Sequence, residues 1–463
     1  MKKQHYLLAI DFGTQSLRGV IFDPDGKVVA IEVVKNSVEN NQKINAVKRS
    51  HQWYLEQLDA LFIKLNQSNV DITKVKAISF TVIRNTLLLL DNNMESIGYA
   101  LPWGSGFNAV KLPRLKWYWR LAFSLGDLFV KITPSLQEMQ KRAAINTVWA
   151  SSLNDWQRIN KVALLSSFLH MSITGKLIDS TASTIAYLPF DYKKGRWYQP
   201  WHWKFQALAI KSSWLYPLVE PGTNIGTLSS NALQSTKLAE NVSVIASGSD
   251  KACELLGSGC INHGDVHISL GTAISVSQLN RKFIGPKRFY PAYPSLTEGL
   301  FITEQAIDNG MSQISTFINR NKNDIEALFG NNDEGKLSIE TQFDRILQDV
   351  NEASVEPSIE PSIVSSYNAL LDDIVEEIEQ CLSQVFERTK LAKTRIYVSG
   401  GGAQSPILLQ KIATKCQVQL VKPKCTEASA LGAAVCMAVS EGIYSSQSEA
   451  IDNMVEIEQM ISP

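Results

Sequence analysis

No apolar run in this chain approaches the roughly 18 residues needed to cross a bilayer, so a spanning helix is not expected. The N-terminal apolar run is cut by Asp11, too early for the core of a secretory leader. Charge of one sign is missing too. Lys and Arg number 45 and Asp and Glu 45, a formal charge of zero that advertises neither nucleic acid nor an anionic membrane as partner. Cysteine is sparse, six in 463 residues with no C-x-x-C pair, and most stand among apolar or small neighbours. That usage excludes a disulfide framework and fits buried thiols in a reducing, cytoplasmic setting. There is no G-x-x-x-x-G-K-[ST], because Gly26-Lys27, Gly175-Lys176 and Gly335-Lys336 lack the following hydroxyl residue. Nor does a G-x-G-x-x-G open a helix after a strand, so the two commonest nucleotide signatures are absent. The six histidines offer no zinc pair: His263 and His267 are four apart, but Gly264 lies between them and the second begins a strand.

What is present is a repeated hairpin. Residues 6–22 read as an apolar strand ending in Asp11, a turn at Gly13-Thr14, and a second apolar strand from Ser16. Gly13 lets the backbone bend and an anion approach, while Thr14, Ser16 and the turn N–H groups can cradle phosphate oxygens. Asp11 is a hard carboxylate suited to Mg²⁺. The same residues also build ordinary hairpins. Residues 266–276 repeat the pattern, with Gly271-Thr272 at the turn. Two copies in opposite halves of one chain point to a duplicated domain, each copy gripping one side of a polyphosphate.

Along the chain, Asp23-Pro-Asp-Gly26 is a turn and 27–34 a strand. Helical spacing covers 50–66, and strands are expected at 77–80 and 86–90 with Arg84 and Asn85 in the loop between them. Residues 101–108 are Gly-rich around Trp103, a side chain that either stacks on a sugar or belongs to the core. A helix is expected over 155–171 with Gly175 closing it. All ten Trp lie between 53 and 214, and this shift places a boundary after Trp214. The second half opens with a strand at 242–246. Asp250 then heads a helix, either as a plain N-cap or as an ionised carboxylate favoured by the helix dipole. A helix over 305–318 would contain Gly310, and 330–362 reads as a loop or weakly ordered insertion. Residues 365–388 are an amphipathic helix. A strand at 395–398 runs into Gly400-Gly401-Gly402-Ala403-Gln404, a ledge with no side chains to obstruct a flat ligand. Phosphoryl transfer asks the protein for positioned phosphates, a metal and a base, and this inventory matches those parts.

These residues resemble the FGGY family of carbohydrate kinases, within the actin-like ATPase superfamily. Ile10-Asp-Phe-Gly-Thr-Gln-Ser16 is similar to its first phosphate motif, Ser269-Leu-Gly-Thr272 to its second, and Ser399-Gly-Gly-Gly-Ala403 with 428–434 to its adenosine motif. Gly248-Ser-Asp250 resembles the segment that carries the catalytic base, and 172–183 the mid-chain Leu-Thr-Gly and Asp-x-Ser segment, with Ile173 in place of Leu. The resemblance implies an α/β fold of two actin-like (ribonuclease H-like) domains with a ligand cleft between them: 1–240 for the sugar and 241–463 for the nucleotide. Asp250 would take the proton from the attacking hydroxyl. Asp11, together with Asp250, would hold Mg²⁺. Gly13, Thr14, Gln15, Ser16, Gly271 and Thr272 would surround the transferring phosphate. Gly401, Gly402 and Gln404 would line the adenosine, with Gly310 near it, and Arg84, Asn85, Trp103 and Asp250 would meet the substrate. The chain departs from the family pattern at two places. Trp103-Gly-Ser105-Gly-Phe107 stands where many members have Trp-x-Asp-x-Arg, and Arg84-Asn85 stands where glycerol-kinase-like members have Arg-Glu.

The resulting expectation is an ATP- and Mg²⁺-dependent cytoplasmic kinase acting on a hydroxyl of a sugar, polyol or related compound. It needs no nucleic acid or membrane partner, and a homodimer is one open oligomeric state. The alternative is a degenerate, non-catalytic nucleotide-binding sensor or scaffold of the same fold, prompted by the missing substrate-loop carboxylate.

Overall fold

A computed structural model describes residues 5–36, 49–102, 108–307, 309–329, 338–352, 362–391 and 395–463. The chain divides into two compact units: Met1–Gly257 with Tyr293–Glu298 and Ser429–Met454, and Ser258–Ala292 with Gly299–Ala428 and Val455–Pro463.

The first unit begins with a meander of β1 (Tyr6–Phe12), β2 (Ser16–Phe22) and β3 (Val28–Lys35). Strand β1 is buried along nearly its whole length, as a continuous apolar run covered on both faces should be. Helix α1 (His51–Gln67) follows, its first turn capped by Ser50, whose hydroxyl accepts from Trp53 N at 3.1 Å. Tyr54, Leu58, Leu61 and Leu65 recur at helical spacing and are buried on one face. Strand β4 (Val75–Val82) then lies parallel to β1, with Asp11 opposite Thr81. Helices α2 (Trp117–Asp127), α3 (Ile132–Arg142) and α4 (Leu165–Thr174) come next in the chain. Strands β5 (Thr223–Thr227) and β6 (Ser243–Ala246) complete the sheet order β5-β6-β4-β1-β2-β3, and helix α5 (Asp250–Gly257) leaves β6.

The second unit repeats this plan. A hairpin of β7 (Val266–Leu270) and β8 (Ile274–Asn280) extends to β9 (Phe301–Ile307). The long helix α6 (Ser362–Thr389) buries Leu371, Ile374, Ile378, Leu382 and Val385 along one face. Strand β10 (Ile396–Ser399), helix α7 (Pro406–Cys416), strand β11 (Leu420–Pro423) and strand β12 (Ile457–Ile461) follow, in the sheet order β9-β8-β7-β10-β11-β12. In both sheets the pairing from the first-named edge of the meander runs antiparallel, antiparallel, parallel, parallel, antiparallel.

The structure differs from the sequence reading at four places. Strand β6 and helix α5, counted above with the C-terminal half, pack in the first unit because β6 pairs with β4 and β5. The helix expected over 155–171 is broken: Lys161–Leu164 is a strand paired with Leu87–Leu90, and α4 begins only at Leu165. That buried apolar run satisfies its backbone in a ladder, and short apolar runs do not disclose helix or strand by periodicity. The helix over 305–318 is instead the end of β9 followed by a helix Ser312–Arg320, so Gly310 sits in the turn between them. Of the stretch 330–362, Ile339–Glu352 is helical, anchored by buried Phe343 and Leu347 at i, i+4 spacing, while 330–337 and 353–361 lie outside the described residues.

Candidate active site

In the first unit the turn after β1 is closed by Gly13 N donating to Ser16 O at 3.0 Å. Its carbonyls are held from an unexpected quarter. Asn36, just past β3 and 7% exposed, donates its amide to Gly13 O at 3.3 Å and Thr14 O at 3.0 Å, and its backbone N–H to Gln15 O at 2.9 Å. With the carbonyls so engaged, the N–H groups of Thr14 and Gln15 meet no protein acceptor among the described residues. A turn that ties back its carbonyls and leaves its N–H groups unused is built to receive an anion. Asp11, half-buried, is the penultimate residue of β1, beside this turn.

Helix α5 brings Asp250 to the same unit. Ser249 bridges to Val82 and its N–H donates to Ala182 O at 3.2 Å, fixing the entry to the helix. Asp250 Oδ1 accepts from Lys251 N at 2.8 Å and lies 3.8 Å from Arg84 Nε, with the two side chains 24% and 20% exposed. Burial pushes the Asp250 carboxyl above its ordinary value, and the Arg84 and Lys251 charges pull part of that back. A carboxylate made more basic by burial, with a cation beside it, suits proton abstraction. Lys251 is itself paired with Glu254 at 2.8 Å. One turn along α5, burial raises the Cys253 thiol to about 11, with the polar groups of Thr81, Gly248 and Ser247 beside it lowering it and the Asp11 charge adding a smaller push upward. Asp11, Thr81 and the helix headed by Asp250 are therefore neighbours, although about 240 residues separate the two aspartates in the chain.

Tyr293 was not legible in the sequence. It returns to the first unit from far along the chain, with the Arg84 guanidinium 5.5 Å from its ring centroid. Asn85 takes a left-handed backbone, φ 55°, and its carboxamide oxygen accepts from Tyr187 N at 3.4 Å, so in this structure it shapes its loop. Trp103 lies outside the described residues. The other tryptophans mostly pack on aromatic neighbours, as Trp156 does on Trp214 at 5.1 Å and Trp197 on Tyr216 at 5.6 Å. The mid-chain Asp179 is wholly buried, taking a hydrogen bond from Ser166 Oγ and one from Ser180 N at 2.8 Å, 3.8 Å from His170 Nδ1. It anchors the fold.

In the second unit the turn at Gly271-Thr272 is also tied by its carbonyls. Met311 N donates to Gly271 O and Ser312 N to Thr272 O, both at 3.2 Å. Gly310 makes that approach feasible: a Cβ there would stand 2.4 Å from Ile274 N and 2.8 Å from Thr272 O. The triple glycine closes on the same turn. Gly400, at φ 90°, would put a Cβ 2.8 Å from Leu270 O, and Gly402 one 2.7 Å from Met311 Cε. Of the three, Gly401 alone would bring a Cβ within 4 Å of nothing among the described residues. Gln404 is exposed and accepts from Lys422 Nζ at 3.3 Å. The structure thus gathers Gly271, Thr272, Gly310 and the glycine ledge in one unit, and Gly13, Thr14, Asp11, Arg84 and Asp250 in the other. The fully buried His267, with Nε2 2.9 Å from Ser399 Oγ and 3.2 Å from Ser258 Oγ, is structural.

A model of the FGGY family of carbohydrate kinases, N-terminal domain, matches residues 6–257, and the model of the family's C-terminal domain matches 343–441. The chain is 23% identical over 461 residues to the xylulose kinase of Lactococcus lactis subsp. lactis, covering 95% of this chain and 89% of that one. Against an autoinducer-2 kinase of Salmonella paratyphi B it is 22% identical, covering 99% and 90%. Among solved structures, the ligand-bound xylulose kinase from Lactobacillus acidophilus superposes with a TM-score of 0.77 at 16% identity over 99% of this chain and 94% of that one. The Plasmodium falciparum glycerol kinase with ADP gives 0.77 at 14% over the same shares. These similarities show the two-domain actin-like ATPase fold.

Proposed function

This chain belongs to the FGGY family of carbohydrate kinases, and from that premise we propose that it moves the terminal phosphoryl group of ATP onto a hydroxyl of a sugar or polyol, with Asp250 as the base. The observation that carries the assignment of the base is the setting of Asp250: half-buried at the head of α5, raised in basicity by burial, and 3.8 Å from Arg84. The substrate hydroxyl would give its proton to the Asp250 carboxylate as its oxygen attacks phosphorus. Arg84 would donate hydrogen bonds to the substrate and hold Asp250 ionised and oriented, against the face of Tyr293.

The nucleotide would be held by backbone. In the first unit the N–H groups of Thr14 and Gln15 are suited to phosphate oxygens; taken by itself, the second unit offers the Gly271-Thr272 turn for the same chemistry and Gly401 as room for a flat ring. The structural neighbour solved with ADP is consistent with a nucleotide in this fold. Asp11, a half-buried carboxylate beside a phosphate turn, fits Mg²⁺, which takes one or two carboxylates and completes its shell with phosphates and water. The ion would neutralise phosphate charge.

The test is ADP release, coupled to a dehydrogenase, across a panel of ketoses, aldonates and polyols. At least one compound is expected to raise release well above the ATP-only rate. Release indifferent to every compound, with ATP still bound, would instead fit the non-catalytic alternative.

A further inference from the structure

The chain is neutral as a whole, but its charge is unevenly spread. Between residues 109 and 142 stand seven Lys and Arg and two acids, a local charge of +5, and all seven cations are exposed. One acid, Glu138, already pairs with Arg142 at 2.6 Å. The other, Asp127, accepts from Thr133 N at 2.8 Å. Helix α2 runs through this segment and has no fully buried residue. Its inner side is accounted for: Trp119 stacks on Phe123 at 6.0 Å, and Phe123 meets Trp203 at 5.5 Å. Its outer side is not. Trp117, Leu121 and Leu125, at i, i+4 and i+8, are 69%, 53% and 55% exposed, and Leu128 and Phe129 in the turn beyond are 76% and 88% exposed. At roughly 200 Å² for a fully exposed large side chain, these five leave roughly 700 Å² of apolar surface, more than a monomer ordinarily tolerates in one patch.

The occupant of this face must accept apolar insertion and positive charge together. A second copy would bring its own +5 against the first. An anionic lipid surface satisfies both demands: Trp, Leu and Phe enter the boundary between headgroups and acyl chains, while Lys111, Arg114, Lys116, Arg120 and Lys131 meet the lipid phosphates. No helix among the described residues is long and apolar enough to cross a membrane, so the contact is peripheral. We infer that the outer face of α2 and the turn after it docks this kinase onto an anionic membrane surface.

The experiment is co-sedimentation of the full chain with vesicles of phosphatidylcholine alone and of phosphatidylcholine mixed equally with phosphatidylglycerol. Binding is expected to the mixed vesicles only, and to weaken as salt is raised. Lys116→Gln is expected to lower the partition coefficient roughly fivefold, the effect of one basic residue near an anionic leaflet. The exposed pair Leu121→Glu with Leu125→Glu is expected to abolish binding with folding and turnover unchanged. Failure of the wild-type chain to bind mixed vesicles at low salt would overturn the inference, as would binding that the double substitution leaves intact. A wild-type dimer in light scattering that the same double substitution dissociates would also overturn it, by assigning the face to a second copy.

Discussion

The two units share a sheet plan and a glycine-threonine turn at the same place in it, yet they tie that turn down by different means. In the first, one side chain does so: Asn36 reaches the carbonyls of Gly13 and Thr14. In the second, the backbone does so: Met311 and Ser312 donate to the carbonyls of Gly271 and Thr272, and Gly310 removes the Cβ that would keep the strands of backbone apart. Among the described residues no backbone acceptor meets the N–H groups of Thr14 and Gln15 in the first turn or of Gly271 and Thr272 in the second. What recurs is therefore the physical result, carbonyls engaged and N–H groups unused, and the residues that achieve it differ. A side-chain tether is sensitive to the identity of one residue. A backbone tether is sensitive to the absence of one.

Gly310→Ala should break the second turn most severely. The added methyl meets three backbone atoms that no rotamer change can move, at a cost of about 1–3 kcal/mol. Thermal unfolding should fall and kcat/KM for ATP should drop by about 10- to 100-fold as the turn shifts. Asn36→Ala should follow, leaving two part-buried carbonyls without donors at a cost of about 1–3 kcal/mol, with KM for ATP raised and the sugar KM held. Asn36→Asp sets a carboxylate against two carbonyl oxygens and should be worse than Ala, whereas a purely volumetric role for Asn36 would order them the other way. Next in size, Gly401→Ala should leave stability unchanged because its Cβ meets nothing, while lowering affinity for ATP. Gly402→Ala should cost stability against Met311 and Leu270. Equal thermal behaviour of the two would remove the distinction between a ligand-facing and a packing glycine.

A further effect concerns pH and the first unit alone. Burial raises Asp179 from 3.8 to about 7, against opposing hydrogen bonds from Ser166 and others, so the folded chain retains a proton that the unfolded chain gives up. Its contribution is fully present below about pH 4 and lost as pH rises toward 7. Burial lowers His170 from 6.5 to about 4, with the Ile178 carbonyl pulling partly back, so its contribution is present above about pH 6.5 and lost as pH falls toward 4. The two slopes oppose each other between about pH 4 and 6.5, and the wild-type melting temperature should be nearly flat there. Asp179→Asn should uncover a loss toward acid, and His170→Gln a loss toward neutral pH. Parallel profiles for the two variants would contradict this reading.

Much of the site was legible because its chemistry is backbone chemistry written in glycine. Gly13, Gly271 and Gly400–Gly402 mark turns by their lack of a side chain, and the apolar runs around them located β1, β2, β7, β8 and β10. The residues that were missed act at a distance in sequence. Asn36 follows a run of ordinary strand residues, and nothing local shows that its amide reaches back 22 and 23 positions. Tyr293 joins Arg84 across more than 200 residues. Gly310 was noticed for its type but set in a helix, since the helical spacing after it is real and begins at Ser312. The neutral total charge hid the basic stretch around α2, because a sum carries no information about position.

The central claim, that Asp250 is the base, is tested most directly by measuring ATP binding and sugar-dependent turnover on the same Asp250→Asn sample. Asp250→Asn is expected to keep ATP affinity close to that of the wild type with kcat lowered by about 10²–10⁴-fold, the loss expected when a general base is removed. Turnover equal to that of the wild type, with the variant folded and ATP bound, would contradict it.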